Sequence, residues 1–261
     1  PSGIIASERA GGGRRRVYVA HGDWCNLCAH CMAVCEPHAV SVRGLSYDDV
    51  VELDDPGITP GQVKSLLLSR RSVRRYAEDP VGDRELDDLV EVATHAGTGG
   101  NLQTVGFVVV RDRELIRQLE RATLEILWRG ARLFGVRWLA PLLRLALGRR
   151  KAEGFERYYT IFRAMKEEGR EEGAILRNAP AVILAYDLKS NGMGQINCAI
   201  AMRNVEIMAS SMGLGTCWGG FLVSAAKLRP ARMNALVGLG PGDRIYGALM
   251  LGRPKYDYRA K

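Results

Sequence analysis

The chain has 261 residues, of which 47% are hydrophobic and 25% charged, and Lys and Arg outnumber Asp and Glu by 37 to 29. This length allows one large domain plus a small one, and the composition is typical of a globular protein. No apolar run reaches the roughly 18 residues that indicate a membrane span. No helix-turn-helix, zinc-finger or aromatic RNP motif accompanies the net charge of +8. The sequence therefore argues against an integral membrane protein and a nucleic-acid binder, and a cytoplasmic location is expected.

Four of the six cysteines lie in one short stretch, residues 25–35, with the spacing C-x2-C-x2-C-x3-C. Bacterial ferredoxins hold iron–sulfur clusters with this run. A disulfide framework and a structural zinc site are the alternatives. Disulfides are typical of small cysteine-rich secreted domains, and zinc sites usually add a second, distant cysteine pair. The sequence therefore predicts a small iron–sulfur module over residues 1–48, with the ligands Cys25, Cys28, Cys31 and Cys35.

After this module, segments with helical apolar periodicity alternate with short apolar runs. The pattern predicts helices at residues 60–68, 83–95, 112–173 and 198–212, and strands at residues 17–20, 107–110, 181–186 and 245–251. Asp83 is the expected N-cap of one helix, and Gly213 is the expected C-cap of another. This alternation indicates an α+β or α/β sandwich.

A basic segment directly after the predicted helix 60–68 combines guanidinium groups with a hydroxyl. It contains Arg70, Arg71, Ser72 and Arg74. Guanidinium forks and a hydroxyl suit a phosphate monoester. A solvated basic face explains the same residues equally well, so both interpretations stay open on these residues alone.

Two amide side chains and a glycine-rich stretch are further candidates for ligand contact. Asn101 and Gln103 lie just before a predicted strand, where side-chain amides can pair with the edge of a planar heterocycle. The alternative is that Asn is there for its turn preference. Residues 213–220 are rich in glycine, which lets backbone N–H groups approach a ligand closely. Because they follow a helix rather than a strand, they do not fit a dinucleotide-binding loop.

Taken in order, these segments resemble the nitroreductase family of flavin enzymes. The matching stretches are residues 70–74, 96–103, 199–202 with 213–220, and 252–254. The resemblance covers residues 60–261 and implies an α+β fold with a mixed sheet flanked by helices, and with residues 112–173 as a helical insertion. It also implies a homodimer that builds two FMN sites from both subunits.

The resemblance assigns roles to individual residues. Those expected at the phosphate and ribityl end of FMN are Arg70, Arg71, Ser72 and Arg74, with the basic tail, Arg259 or Lys261, also within reach. Those expected at the pyrimidine side of the ring or the ribityl chain are Asn101 and Gln103. The backbone N–H groups expected at the flavin N5 are those of Gly219 and Gly220.

The cysteine run is similar to the ferredoxin-like extension of some nitroreductase relatives, in which two 4Fe–4S clusters precede the flavin domain. In two-cluster ferredoxins the fourth cysteine of each run ligates the other cluster. Cys25, Cys28 and Cys31 would then share one cluster, and Cys35 would serve the second. The first five residues are similar to the segment that follows such a run, so we expect a further cysteine motif upstream of Pro1.

Residues 128–151 interleave aromatic and leucine side chains with basic ones. A helical lid over the flavin or a dimer contact is favoured over a membrane-surface helix, and Pro141 interrupts any long helix there. Tyr158, Tyr159 and Phe162 are candidates to line the same cavity, and aromatic core packing is the favoured alternative.

Together these inferences predict an iron–sulfur flavoprotein oxidoreductase. Electrons would pass from one or two 4Fe–4S clusters to FMN and on to a small electron-poor acceptor, such as a nitro compound or a quinone. The alternative is an electron carrier or redox sensor that relays electrons to a protein partner without small-molecule turnover. The basic surface suits an acidic partner such as ferredoxin or flavodoxin. Ferredoxin and NAD(P)H are both candidate electron donors, and membrane contact is not expected.

Overall fold

The computed structural model of the protein describes residues 3–9, 11–49, 56–136 and 138–258. The chain divides into two compact units. The first comprises residues 1–58 and 98–103, and the second comprises residues 59–97 and 104–261.

The first unit contains a β-hairpin and a single helical turn. Strands β1 (Ile5–Arg9) and β2 (Arg15–Val19) pair antiparallel, and α1 (His30–Ala33) follows within the cysteine stretch. The strand predicted at 17–20 thus begins earlier and has a partner that the sequence pattern did not reveal. A ferredoxin-like form of this unit is not confirmed, because the part of it that the structure describes shows only these elements, short 3-10 turns and loops.

The second unit carries the large sheet and most of the helices. Its helices are α2 (Pro60–Ser69), α3 (Asp83–Thr94), α4 (Arg113–Ala131), α5 (Ala140–Leu147), α6 (Arg149–Glu167), α7 (Gly194–Ser211), α8 (Gly220–Leu228) and α9 (Pro230–Leu236). Its strands are β3 (Gly106–Val110), β4 (Ala181–Leu188), β5 (Gly215–Trp218) and β6 (Asp243–Gly252). Among the described residues, none of the helices combines the length and apolarity needed to cross a bilayer.

The four strands form one sheet in the order β3-β4-β6-β5, and neighbouring strands are antiparallel. Beyond β5, Ser72 forms an isolated parallel bridge with Thr216. This bridge gives the sheet a parallel component, so the predicted α+β fold with a mixed sheet flanked by helices is confirmed.

Helices cover both faces of the sheet, as the side chains along β4 show. Val182 and Leu184 are buried in a core cluster with residues of α4 and α8. Ile183 and Ala185 are buried in a second cluster with residues of α3 and α7. Successive side chains of a strand point to opposite faces, so the consecutive apolar residues 181–185 of β4 must be covered on both sides.

Three details of the sequence prediction were wrong. The apolar run 107–110 is short enough to predict a buried strand, but β3 is an edge strand in which Val109 is 36% exposed. Helix α3 is capped by Gly82, whose N–H donates to Glu85 Oε2 at 2.9 Å, and Asp83 is its first helical residue. The glycine-rich stretch 213–220 contains β5, which is too short and too rich in glycine for its pattern to show.

Candidate functional site

The predicted phosphate-binding segment lies against β5 because residue 215 is glycine. The Val73 side chain is buried, and its N–H donates to the Thr216 carbonyl at 2.8 Å. A Cβ atom on Gly215 would lie 2.6 Å from Val73 Cγ2, closer than two carbon atoms can approach. The arginines on either side of Val73 are therefore placed by a close approach that only glycine permits.

The four predicted residues of this segment have different surroundings. Arg70 Nη1 lies 3.2 Å from Glu206 Oε1 on α7, and the Arg71 guanidinium lies 5.3 Å from the centre of the Tyr258 ring. Ser72 forms the bridge to Thr216, and Arg74 lines a cavity. The fold thus holds Arg70 by an ion pair, whereas Arg74 faces a space that a ligand can enter.

This cavity, with a volume of about 720 Å³, lies between the sheet and helices α4, α6 and α8. Its cationic residues are Arg74, Arg177 and Lys227, and its aromatic residues are Phe155, Tyr158, Phe162, Trp218 and Phe221. No carboxylate is among its lining residues in the described part of the chain. A cavity with aromatic walls and uncompensated positive charge suits a planar, anionic molecule.

The cationic side chains of the cavity influence the pKa of Cys217, a residue of β5 that lines the cavity. Burial raises the pKa of the Cys217 thiol, and the neighbouring Arg74 and Arg177 oppose this shift by favouring the thiolate. Outside the cavity lining, burial also raises the pKa of Tyr76, whose hydroxyl donates to the Val73 carbonyl at 2.7 Å. Arg74 and Arg177 thus oppose the effect of burial on the Cys217 thiol.

The two predicted N–H donors at the cavity have different environments. The Gly219 N–H donates to the Ala248 carbonyl at 2.8 Å, so this group is already bound by the sheet. Gly220 is the first residue of α8, a position whose N–H has no intrahelical partner. Of the two glycines, Gly220 is therefore the one whose N–H is not taken up by the sheet or the helix, and the predicted donor role stays a prediction.

The two predicted amide residues belong to the first unit and make contacts there. Asn101 Nδ2 donates to the Asn26 carbonyl in the cysteine stretch at 3.0 Å, and Gln103 Nε2 donates to Asn101 Oδ1 at 3.2 Å. Both residues have positive φ angles, of 55° and 51°. The amides thus support the cysteine stretch, a contact that sequence spacing did not predict.

The four clustered cysteines are free thiols, and Cys25 and Cys28 are exposed. The chain between them and just beyond turns sharply, since Leu27 and Ala29 both have a φ of 55°. Cys35 Sγ accepts the Ala39 N–H at 3.3 Å. Within the described residues, no three His, Cys, Asp or Glu side chains are gathered as metal ligands. The thiol donor set suits iron, but the described side chains are not assembled around a metal.

The cavity is lined more by α6 than by residues 128–151, of which Ala131 is a lining residue in the described part of the chain. The dimer-contact interpretation of this segment stays a prediction. Helix α6 lines the cavity with Tyr158 and Phe162, as predicted, whereas Tyr159 stacks on Trp128. Near α5, Trp138 and Leu145 are 72% and 85% exposed, whereas Phe134 is buried and stacks on the cavity residue Phe155. The membrane-surface alternative for that region stays an untested hypothesis.

Sequence reasoning missed the cations Arg177 and Lys227. A signal for Arg177 existed, because it lies just before the predicted strand 181–186, at an end of the sheet. No local pattern marks Lys227, since its position depends on how α8 is rotated against the sheet. The predicted tail residues Arg259 and Lys261 lie outside the described residues.

The model of the Nitroreductase family matches residues 67–253. An Archaeoglobus fulgidus protein, whose name proposes NADH dehydrogenase or NAD(P)H nitroreductase activity, is 22% identical over 195 residues, which are 73% of this chain and 84% of the relative. The fold is similar to the structure of a Bacteroides fragilis nitroreductase with bound FMN, with a TM-score of 0.56 and 19% identity, covering 77% of this chain and 93% of the other. A Desulfitobacterium hafniense nitroreductase with bound FMN gives a TM-score of 0.55 and 20% identity over 75% and 90% of the two chains. The chain belongs to the Nitroreductase family.

Proposed function

We propose that the protein is an FMN-dependent oxidoreductase that reduces a small electron-poor compound such as a nitro compound or a quinone. The cavity beside Arg74 and Gly220 carries this proposal, because its aromatic walls and unopposed cations fit an anionic planar cofactor. When bound, FMN supplies the redox chemistry at its N5 position. The bound FMN in the two solved relatives supports the same assignment.

The chain's own residues bind and orient the cofactor in this proposal. Residues proposed for the phosphate and ribityl end are Arg70, Arg71, Ser72 and Arg74, and Arg259 is proposed to assist. Asn101 and Gln103 are proposed for the ring or the ribityl chain, and the Gly220 N–H for N5. Two copies of the chain are proposed to form a homodimer.

Replacing Arg74 with glutamine tests the FMN assignment. Loss of a charge-assisted contact in the cavity is expected to raise the Kd for FMN by about 10- to 100-fold. The measurement is a fluorescence titration of FMN into flavin-free protein. Arg75→Gln is the matched control, because Arg75 is the neighbouring exposed arginine and does not line the cavity. Equal Kd values for wild type and Arg74→Gln would contradict the assignment.

In the same proposal, electrons enter through one or two 4Fe–4S clusters bound by the four clustered cysteines. Their C-x2-C-x2-C-x3-C spacing supports this. Their free thiols and the sharp turns at Leu27 and Ala29 support it further. Burial, followed by the nearby Cys35, raises the pKa of the Tyr47 hydroxyl, so this phenol interacts with one of the proposed ligands.

Replacing Cys28 with serine tests the cluster. Wild-type protein purified without oxygen is expected to contain iron and sulfide and to give an EPR signal on reduction. In the Cys28→Ser variant the iron content, the sulfide content and the EPR signal are all expected to fall to a small fraction of these values. Cys198→Ala is the control, because burial raises the pKa of the Cys198 thiol to about 12 and keeps it from acting as a thiolate ligand at neutral pH. Zinc without sulfide in the wild type would contradict the cluster and favour a zinc site.

An electron carrier that passes electrons to a protein partner is the second candidate, favoured by the exposure of Cys25 and Cys28. Anaerobic reoxidation of the reduced flavin separates the two. Fast reoxidation by nitro compounds or quinones supports the enzyme, and reoxidation only by ferredoxin or flavodoxin supports the carrier. The same assay compares NAD(P)H, which appears in the name of the Archaeoglobus relative, with reduced ferredoxin as electron donors.

A further inference from the structure

One face of α8 forms a wall of the cavity and carries a cation at its far end. Gly220, Ser224 and Lys227 all line the cavity. They share one face because residues four and seven positions apart lie on the same side of a helix. At 1.5 Å per residue, Lys227 lies about 10 Å along the helix axis from Gly220. The cavity is therefore long enough to separate a reacting end at Gly220 from a charged end at Lys227.

The cations of the cavity fall into two groups. Arg74 follows the segment that bridges to β5, and Arg177 lies a few residues before β4, so both belong to the sheet side of the cavity. Lys227 lies on α8, and the resemblance assigns no cofactor contact to it. None of the ion pairs within the described residues involves any of these three cations. Positive charge that no carboxylate neutralises attracts an anion.

Aromatic side chains lie between the two ends. Phe221 packs edge-on against Tyr158, with ring centroids 5.2 Å apart, and against Phe162 at 5.7 Å. These contacts hold the rings of α6 and α8 in fixed orientations beside the cavity. Aromatic rings of this kind favour a flat ligand that stacks on them or meets their edges.

We propose that Lys227 recognises the acidic group of the substrate, so that the protein prefers an aromatic carboxylic acid, or an aromatic compound with an equivalent anion, over its neutral analogue. This inference rests on the proposed function, since the ligand is the acceptor that FMN reduces. The flavin is expected at the end near Arg74 and Gly220, and Lys227 binds the anion at the other end. Lys227 is thus a specificity residue rather than a cofactor ligand.

Binding of 4-nitrobenzoate and 4-nitrobenzamide to the oxidised holoprotein tests the proposal, because the two compounds have nearly the same shape and differ in charge. Isothermal titration calorimetry is expected to give a Kd for the acid about tenfold lower than for the amide. Lys227→Gln is expected to remove this difference by weakening binding of the acid alone, and Lys227→Arg is expected to retain it. Lys189→Gln serves as the matched control, because Lys189 is exposed and does not line the cavity.

Equal affinity of the wild type for the two compounds would overturn the proposal, and so would equal weakening of both by Lys227→Gln. Flavin content is measured on the same samples. If the protein binds no FMN, the proposed function is contradicted. Calorimetry on the same protein still shows whether the cavity binds the acid more tightly than the amide, which tests the role of Lys227 separately. The two failures are therefore distinguishable.

Discussion

Replacing Glu120 with alanine is expected to lower the free energy of unfolding by about 3 to 5 kcal/mol. The Glu120 side chain is on α4, and the residue is only 4% exposed. Its carboxylate accepts the backbone N–H groups of Gly173 at 2.9 Å, Ile175 at 2.6 Å and Leu176 at 2.8 Å. Alanine would leave these three donors without their acceptor, and buried unpaired donors each cost about 1 to 3 kcal/mol.

Urea denaturation followed by circular dichroism measures this loss. Glu114→Ala is the matched control on the same helix, because Glu114 is exposed and its bond to Arg117 spans 3.3 Å at the surface. The control is expected to change the unfolding free energy by less than about 1 kcal/mol. Glu120→Gln retains one acceptor oxygen, and its loss of unfolding free energy is expected to lie between those of Glu120→Ala and Glu114→Ala. A loss at Glu120→Ala no larger than at Glu114→Ala would show that the backbone of residues 173–176 does not depend on this carboxylate.

The same substitution is expected to affect the cavity, because the segment held by Glu120 continues directly into it. Ile175 and Arg177 both line the cavity, and Arg177 has a φ of 58°, which is unfavourable for a residue with a side chain. Such a conformation persists only where neighbouring contacts hold it. Weaker FMN binding by Glu120→Ala at temperatures where the protein remains folded is the expected consequence.

Gly215→Ala is expected to have the largest effect on FMN binding among substitutions away from the cavity lining. The new methyl group would displace Val73 from its position against β5, at a cost of about 1 to 3 kcal/mol in stability. Movement of Val73 carries Ser72 and Arg74 with it. We expect the Kd for FMN to rise by at least about tenfold, since a shift of about 1 Å is enough to weaken aligned contacts strongly.

A double-mutant cycle tests whether the clash between residues 215 and 73 causes the expected loss of stability. Val73→Gly removes all three atoms that a Cβ on residue 215 would meet, so the double variant is expected to be more stable than the sum of the single effects predicts, by about 0.5 to 3 kcal/mol. Gly192→Ala is the control, because nothing lies within 4 Å of its Cβ position. Additive effects in the cycle, or unchanged FMN binding by Gly215→Ala, would contradict this account.

The helices and most strands of the second unit were predictable because their signals are local. The apolar spacing of α3 and the predicted C-cap of α7 at Gly213, where φ is 74°, follow from neighbours a few residues apart. Strands β1 and β5 escaped prediction because each is short and owes its conformation to a partner strand. In both cases the pairing, rather than the strand's own sequence, supplies the stabilising hydrogen bonds.

Parts of the candidate site were predictable only where all the residues of a motif lie in one short segment of the sequence. The arginine segment 70–74 and the cysteine spacing are of this kind. The cavity instead combines β5 and β6 with three helices, so its lining depends on how each helix is rotated on the sheet. The Asn101 contact to Asn26 likewise joins residues that are far apart in sequence.

The sequence by itself determined the family, the order of the main helices and strands, and the residue types available for binding phosphate and iron. These properties depend on local spacing, and a single chain displays them without folding. Tertiary structure alone decided that the Gly219 N–H is bound by Ala248, that α6 rather than α5 lines the cavity, and that Arg177 and Lys227 face it. Each of these depends on the packing of segments distant in sequence, which fixes the direction of side chains that local periodicity leaves open.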